Sequence, residues 1–259
     1  MQDVLLRKEG TTAVVVLNRP SALNALNTSL GRQLTDTLEG LETAKEIKAV
    51  VITGEGKAFS AGGDVKEFYQ QEDRRRYILE ITSLLHRCII SIRRMPKPVI
   101  AAVNGVASGA GMSLVLACDL AVADENARLN MAYIKIGASP DGGGSLTLPR
   151  TLGLKKASEL IFSGRMVNAQ EALDLGLINE IVPSGKALER ALEVAQGLSE
   201  GPSLAMAASK ELINKTFFHD LEAHLEAERR SIAHLGTTGD FQEGLDAFFQ
   251  RRPPKFKGL

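Results

Sequence analysis

The chain has no tryptophan and only two cysteines and four histidines among its 259 residues, and its net charge is zero. The few cysteines and the balanced charge each argue against a class of protein. Cys88 and Cys118 stand in apolar segments without CxxC spacing, so we expect buried thiols rather than a disulfide or a zinc site. Thirty-one basic residues balance thirty-one acidic ones, which argues against nucleic acid or a charged membrane surface as a partner. Any anionic ligand must therefore be met by a few local groups.

Long apolar stretches are also missing. No run approaches the roughly 18 uncharged apolar residues of a membrane-spanning helix. The N-terminal MQDVLLRKEG has no basic stretch followed by a long apolar one. We therefore expect a soluble, cytoplasmic protein. Its length and its 44% content of hydrophobic residues fit a globular fold with a sizeable core.

The first two thirds of the chain alternate short β-branched runs with segments of helical apolar spacing. The predicted strands are TAVVVLN (12–18), KAVVITGEG (48–56), KPVIAAVNG (97–105) and a pair of short ones in DLAVADENARLNM (119–131), and the predicted helices are 29–44 and the charged span 65–94. Parallel strands need crossover connections, so this alternation predicts an α/β fold.

The last third changes character at about Gly201. AMAASKELINKTF, LEAHLEAERRSIAHL and DFQEGLDAFFQRR have helical spacing with no strand between them. The GPS at 201–203 reads as a hinge, with its proline at the start of the next helix. We therefore divide the chain into a core, residues 1–200, and a helical region, residues 201–259.

Three glycine-rich clusters follow strand signals: KAFSAGGDVKEF (57–68), NGVASGAGMSL (104–114) and GASPDGGGSLTLPR (137–150). None has GxGxxG with a downstream acidic residue in the expected context, or the lysine of a phosphate loop, which excludes dinucleotide and Walker-type sites. In the first two clusters, small residues lead into helical spans and leave backbone N–H groups free to face an anion or an oxyanion. A tight turn would explain each cluster taken alone.

Taken in order, these motifs resemble the crotonase, or enoyl-CoA hydratase/isomerase, superfamily. The resemblance continues through KPVIAAVNGVASGAGMSLVLACDLAVAD, GRMVNAQEALDLGLINEIV and the terminal AFFQRR, and it covers essentially the whole chain. It implies a spiral of β-β-α turns, a helical region that joins subunits into trimers or pairs of trimers, and an acyl-CoA thioester as substrate. Coenzyme A would enter as part of that substrate, and no separate cofactor or metal is expected.

The resemblance also implies roles for particular residues. Two backbone N–H groups hold the thioester oxygen in this family, and their motif positions fall on Gly63 and Ala110. Donors aimed at a developing oxyanion are a large catalytic contribution, about 3 kcal/mol each. Further substrate contacts are implied for Lys57, Ala58, Ala61, Asp64 and Val65, and for Phe248 and Arg251 from the same or a neighbouring subunit. For Lys57 and Arg251, a solvated surface charge is an equally good interpretation.

The hydratases of this superfamily use two glutamates, and both are missing here. The corresponding positions hold Ser113 and Tyr133. Neither side chain, with its ordinary pKa, is a general base near neutral pH. The usual hydration mechanism is therefore not expected, and these two side chains either orient the acyl chain or fill space.

Asp141, between a proline and three glycines, is the remaining candidate. Relatives that move a double bond, and relatives that attack aryl-CoA thioesters with a carboxylate, have a catalytic aspartate at this position. Burial would disfavour its charged form and a helix N-terminus would favour it. Asp141 is also a good N-cap for a helix beginning at Gly142, and we expect it to cap that helix. The resemblance thus implies an isomerase in which Asp141 moves a proton between C2 and C4.

Three alternatives stay open. A hydratase could use a relocated acid, such as Glu67, Glu72 or Asp73. Attack of Asp141 on an aryl-CoA ring needs aromatic walls, and the 5% aromatic content argues against it. A non-catalytic acyl-CoA-binding partner in a β-oxidation or ring-cleavage complex would also explain the lost glutamates. No metal-ligand cluster is visible in the sequence.

Overall fold

The computed structural model describes residues 2–259, which form two β-sheets covered by helices. The strands are β1 Val4–Glu9, β2 Thr12–Leu17, β3 Ala49–Gly54, β4 Ala58–Ser60, β5 Val99–Val103, β6 Val106–Ser108, β7 Leu120–Asp124, β8 Arg128–Asn130, β9 Val167–Asn168 and β10 Glu180–Val182. The α-helices are α1 Thr28–Thr43, α2 Val65–Gln70, α3 Arg74–Arg94, α4 Ala110–Ala117, α5 Gly144–Leu152, α6 Leu154–Ser163, α7 Ala169–Asp174, α8 Ala187–Ser199, α9 Ser203–Phe217, α10 Leu221–Leu235 and α11 Gly239–Gln250. Short 3-10 helices occupy Pro20–Ala22 and Ala132–Ile136.

After the β1–β2 hairpin, which lies wholly in the larger sheet, the successive pairs β3/β4, β5/β6, β7/β8 and β9/β10 each give one strand to each sheet. The larger sheet has the order β1-β2-β3-β5-β7-β10, and the smaller sheet has the order β4-β6-β8-β9. Only the pairs β1–β2 and β8–β9 are antiparallel within residues 2–259. The remaining pairs are parallel, so each needs a crossover connection. The predicted α/β spiral of β-β-α turns is confirmed.

The central strands are buried on both faces, as parallel strands usually are. Every residue of β2, β3 and β5 is buried. On one face the leucines of α1 pack against the sheet, and α3 packs against α1 with its isoleucines in the same core. On the other face α8 packs through Ala187, Ala191 and Ala195. Their spacing of four residues places the three small side chains on one side of the helix.

Two predicted elements differ in detail from the structure. The short strands at 119–131 exist, but β7 joins the larger sheet and β8 the smaller one, so they are not partners of each other. The span 65–94 is two helices, because the chain breaks at 71–73 and Asp73 caps α3 by accepting the N–H of Arg76 at 3.0 Å. The break gives the cavity described below contributions from both helices.

The three helices predicted after Gly201 are confirmed, and Pro202 stands at the N-cap of α9. Helices α10 and α11 belong to the same hydrophobic core as the sheets, through Leu225, Ile232, Phe241 and Leu245. Helix α9 instead exposes apolar side chains, with Leu204 87% accessible. The division at residue 200 and the joining of subunits by 201–259 stay predictions.

Both cysteines are free and buried, as expected. Burial raises the pKa of each thiol to about 12, which keeps both groups neutral and unreactive at physiological pH. No helix within residues 2–259 combines the length and the apolar character needed to cross a membrane.

Candidate active site

The three glycine clusters converge on one cavity of about 170 Å³. Gly63 follows β4, Ala110 opens α4 after β6, and Asp141 precedes α5. Strands β4 and β6 are parallel neighbours, so the loops at their carboxyl ends lie side by side. Of the other predicted site residues, the cavity is lined by Ala61, Val65, Tyr133 and Phe248.

The backbone N–H groups of Gly63 and Ala110 are both unused. Neither donates a hydrogen bond to any acceptor in residues 2–259. A neighbour of each is fixed by a backbone hydrogen bond. The carbonyl oxygen of Leu26 accepts the Asp64 N–H at 2.9 Å, and that of Asn130 accepts the Gly109 N–H at 2.9 Å. Two fixed, free donors, one at the first residue of α4 and one two residues before α2, can bind an oxygen that gains negative charge.

Glycine makes this close approach of the two loops possible. Gly62 has φ of +95°, and a Cβ there would lie 2.7 Å from the carbonyl oxygen of Ser108. Gly109 has φ of +50° directly before the first residue of α4. A larger residue at position 62 would push the Gly63 loop away from α4.

Asp141 is 3% exposed, and its two carboxylate oxygens have different environments. Oδ1 lies 2.5 Å from Nε2 of His86 and accepts the Gly142 N–H at 2.6 Å. Oδ2 accepts no hydrogen bond from residues 2–259, yet it is not sealed off by protein atoms. Because Asp141 lines the cavity, Oδ2 is the oxygen available to a substrate.

The predicted N-cap role of Asp141 is wrong. Helix α5 begins at Gly144 with Gly143 as its N-cap, and no side chain of that segment caps it. Gly142 and Gly143, with φ of +65° and +79°, carry the chain away from Asp141 before the helix starts. Glu228 of α10 supplies the cap instead, accepting the N–H of Gly143 at 2.7 Å and of Ser145 at 3.0 Å.

Ser113 and Tyr133 hold the backbone of Asp141. The Ser113 hydroxyl donates to the Asp141 carbonyl oxygen at 2.6 Å, and the Tyr133 hydroxyl donates to the same oxygen at 3.1 Å. Burial and the charge of Asp141 raise the pKa of Tyr133 well above its ordinary value, so its hydroxyl stays protonated. Neither residue replaces a hydratase glutamate as a base.

Two functional candidates, His86 and Glu228, were not predicted from the sequence. Together with Asp141 they place ligand-type atoms within 4.8 Å of one another. Burial and the charge of Asp141 raise the pKa of Glu228 to about 7, against the opposing effect of its hydrogen bonds. The one sequence signal for them is that His86 and Glu228 are polar residues at positions that helical spacing places on the buried side of α3 and α10.

This trio does not have the geometry of a metal site. The 2.5 Å between Asp141 Oδ1 and His86 Nε2 is shorter than the separation of roughly 3 Å that two ligands need around one ion. Both oxygens of Glu228 are occupied by backbone N–H groups. The arrangement suits a proton between Asp141 and His86.

Five predicted substrate contacts lie outside the cavity lining, one of them Ser113, which holds the Asp141 backbone instead. Lys57 and Arg251 are exposed, and Ala58 is buried in β4. Asp64 caps α2 and pairs with Arg19 at 3.0 Å. Their contacts with coenzyme A stay predictions, and so does that of Phe248, although this residue reaches the cavity within the same chain.

The relocated acids proposed for a hydratase also lie outside the cavity lining. Glu67 accepts the hydroxyl of Tyr77 at 2.6 Å and the side-chain amide of Asn27 at 2.8 Å. Asp73 caps α3, and Glu72 is exposed. Within residues 2–259, Asp141 is the one carboxylate that lines the cavity.

A spiral of β-β-α turns around an apolar cavity is the architecture that the resemblance to the crotonase superfamily implies. Residues 7–259 match the family model described as enoyl-CoA hydratase/isomerase, and the chain belongs to this family.

Similar proteins include the 2,3-dehydroadipyl-CoA hydratase of Escherichia coli K12, 36% identical over 100% of both chains. The short-chain-enoyl-CoA hydratase of Clostridium acetobutylicum is 33% identical over 97% of this chain and 96% of its own length. The crystal structure of an enoyl-CoA hydratase from Mycobacterium avium subsp. paratuberculosis K-10 superposes with a TM-score of 0.90 at 32% identity, over 98% of each chain. The predicted membership of the crotonase superfamily is confirmed.

Proposed function

We propose that the protein is an enoyl-CoA isomerase that moves a double bond by proton transfer through Asp141. The observation that carries the proposal is that Asp141 lines the cavity next to two free N–H groups, with no second carboxylate in the lining. Hydration in this family uses two carboxylates, and the positions that would supply them hold Ser113 and Tyr133. Both hydroxyls are engaged with the Asp141 carbonyl oxygen.

In the forward direction, a 3-enoyl thioester places its carbonyl oxygen at the N–H groups of Gly63 and Ala110. Oδ2 of Asp141 removes a proton from C2, and the C–H electron pair moves onto the thioester oxygen to give a dienolate. The two N–H donors stabilise this anion. The protonated Asp141 then returns the proton to C4, and the double bond settles between C2 and C3. Acid and base are successive states of one group.

The lining favours this return of the proton over addition of water. Apolar side chains dominate it, among them Leu26, Phe68, Ile81 and Leu85. A volume of about 170 Å³ corresponds to about six water-sized groups, which suits a short acyl group. An acyl chain that fills this space excludes the water that hydration requires.

A second candidate function is supported by the cavity walls. Four aromatic side chains line the cavity, Phe68, Tyr133, Phe241 and Phe248, although aromatic residues are scarce in the chain as a whole. Such walls would hold an aryl-CoA ring. Asp141 Oδ2 would attack a ring carbon, the leaving group would depart as an anion with its bonding electrons, and water would hydrolyse the aryl ester. Release of halide from a halogenated aryl-CoA ester tests this reaction.

The isomerase proposal is tested with matched 2-enoyl and 3-enoyl-CoA esters in deuterated water. We expect the wild type to interconvert the positional isomers with little 3-hydroxyacyl product, and Asp141→Asn to lose at least about two decades of rate. Glu67→Gln is the matched control, because Glu67 lies outside the cavity lining. Dominant 3-hydroxyacyl product that is insensitive to Asp141→Asn would overturn the proposal, and binding without turnover would indicate the non-catalytic partner.

A further inference from the structure

We propose that His86 is a positioning residue that donates its Nε2–H to Asp141 Oδ1 and thereby turns Oδ2 toward the substrate. The two atoms are 2.5 Å apart, and the side chains are only 9% and 5% exposed. The bond joins α3 to the loop before α5, across 55 residues of sequence. This inference rests on the proposed role of Asp141 as the base.

The direction of the hydrogen bond follows from the chemistry of the carboxylate. An ionised carboxylate has no proton to donate, so Nε2 must be the donor while Asp141 acts as a base. When Oδ2 takes the substrate proton, Oδ1 can still accept from the same N–H. The bond therefore persists through both proton transfers and fixes the rotation of the carboxyl group.

His86 is the one link between this carboxyl group and a different element within residues 2–259. The other donor to Oδ1 is the N–H of Gly142, which is the next residue and moves with Asp141. Ser113 and Tyr133 donate to the carbonyl oxygen of Asp141 and not to its carboxylate. Without His86, the carboxyl group would keep only the hydrogen bond from the adjacent Gly142 N–H, and no group described from another element would help to hold the rotamer that exposes Oδ2.

The imidazole of His86 is buried among apolar side chains and therefore needs a hydrogen-bond partner. The inward face of α3 is otherwise built from apolar residues such as Ile81, Leu85 and Ile89, so a polar ring there is costly unless it is hydrogen-bonded. A leucine would fill such a position without that cost. The ring is therefore best explained by the bond that it makes to Asp141.

The groups that face this pair come from several elements. Glu228 of α10 has a carboxylate oxygen within 4.8 Å of Asp141 and His86. Tyr133 of the 3-10 helix donates to the Asp141 carbonyl oxygen, and His224 reaches Glu228 through the Ser145 hydroxyl. An ionised Glu228 repels the charge of Asp141, and an N–H donor at Oδ1 offsets this repulsion. Removing the donor disfavours the charged, basic form of Asp141.

The test compares His86→Leu with His86→Gln, whose amide N–H can replace Nε2–H. We expect His86→Leu to lower kcat about ten- to a hundredfold, the range that the loss of one hydrogen bond to a charged group corresponds to, with KM changed less than about twofold. The acidic limb of its kcat–pH profile should move to higher pH, because the charged form loses a donor. His86→Gln should recover most of kcat and the wild-type profile.

Equal activity of the two variants, at the wild-type rate or below it with an unshifted profile, would overturn the positioning role. Urea unfolding of both variants keeps loss of folding separate from loss of the bond. Asp141→Asn in the same assay separates the two proposals. If Asp141→Asn is inactive while His86→Leu keeps the wild-type rate and profile, only the inference about His86 fails. If Asp141→Asn is fully active, the proposed function fails.

Discussion

The two halves of the candidate site are built in different ways. The N–H groups of Gly63 and Ala110 are placed by short loops after neighbouring parallel strands, so local sequence and strand order suffice. The carboxylate of Asp141 is oriented by His86 from α3, and the helix after it is capped by Glu228 from α10, contacts that span 55 and 85 residues of sequence. Local motifs therefore locate such a site, and distant side chains set the orientation of its base.

The largest effect is expected from a substitution in the locally built half of the site, the N–H donors of Gly63 and Ala110. Ala110→Pro removes one of the two N–H donors at the first position of α4, where proline fits a helix. We expect kcat to fall about 10²- to 10³-fold, the loss typical of one oxyanion donor. Steady-state kinetics with a 3-enoyl-CoA ester check this.

Ser203→Pro is the matched control, because it stands at the first position of α9 and outside the cavity lining. An Ala110→Pro enzyme that folds and keeps the wild-type rate would show that this N–H is not used.

A substitution at Gly142 breaks the connection between the two halves. In Gly142→Ala the new Cβ would lie 2.9 Å from side-chain carbons of both Leu85 and Ser113, at a φ of +65°. We expect at least about a tenfold loss of kcat, because Asp141 must shift, and a loss of about 1–2 kcal/mol in unfolding free energy.

Gly153→Ala shares the backbone strain, with φ of +76°, but its Cβ meets no atom within 4 Å. This control should lose stability without losing kcat. Parallel urea unfolding and kinetics of the two variants test the distinction, and equal kinetic effects would contradict it.

A smaller effect concerns Glu228 and the pH dependence of stability. Its pKa is raised from 4.5 to about 7, so the folded state favours the neutral carboxyl group. The stability that this group contributes is present below pH 4.5 and is lost as the pH rises through 7, on the order of 3 kcal/mol in total. Urea unfolding between pH 5 and 8 should show this fall, and Glu228→Gln should flatten it. Parallel slopes for the two proteins would refute the assignment.

The smallest expected effect is that of metal removal. Because Asp141 Oδ1 and His86 Nε2 are too close to share an ion, chelation with EDTA should leave the isomerisation rate unchanged. Loss of activity on chelation, restored by one divalent metal, would contradict this and indicate that a metal ion, not a proton, lies between these two atoms.

The parts of the fold that were predictable were those with a strong local signal. Strands β2, β3 and β5 are apolar except for Thr12 and Thr53, and α1 repeats its leucines at helical spacing. Strands β1, β4, β6, β9 and β10 were not predicted. Most of β1 is solvent-exposed, and the other four have two or three residues each, too few to show a period.

The limits at the site have the same origin. The order of motifs brought Gly63, Ala110 and Asp141 together correctly, but the capping role of Asp141 was wrong because two left-handed glycines intervene. Helical spacing can place His86 on the inward face of α3. It does not reveal that the residue opposite is Asp141, because this pairing depends on how α3 packs against the loop before α5.

The central claim is that one buried carboxyl group carries the proton between two carbons. The most direct measurement uses a 3-enoyl-CoA ester deuterated at C2 in ordinary water, with mass-resolved analysis of the 2-enoyl product at early times. Because Asp141 is 3% exposed, we expect part of the deuterium to reappear at C4, and Asp141→Asn to abolish this transfer. Product that carries only solvent hydrogen at C4, formed equally fast by Asp141→Asn, would contradict the account.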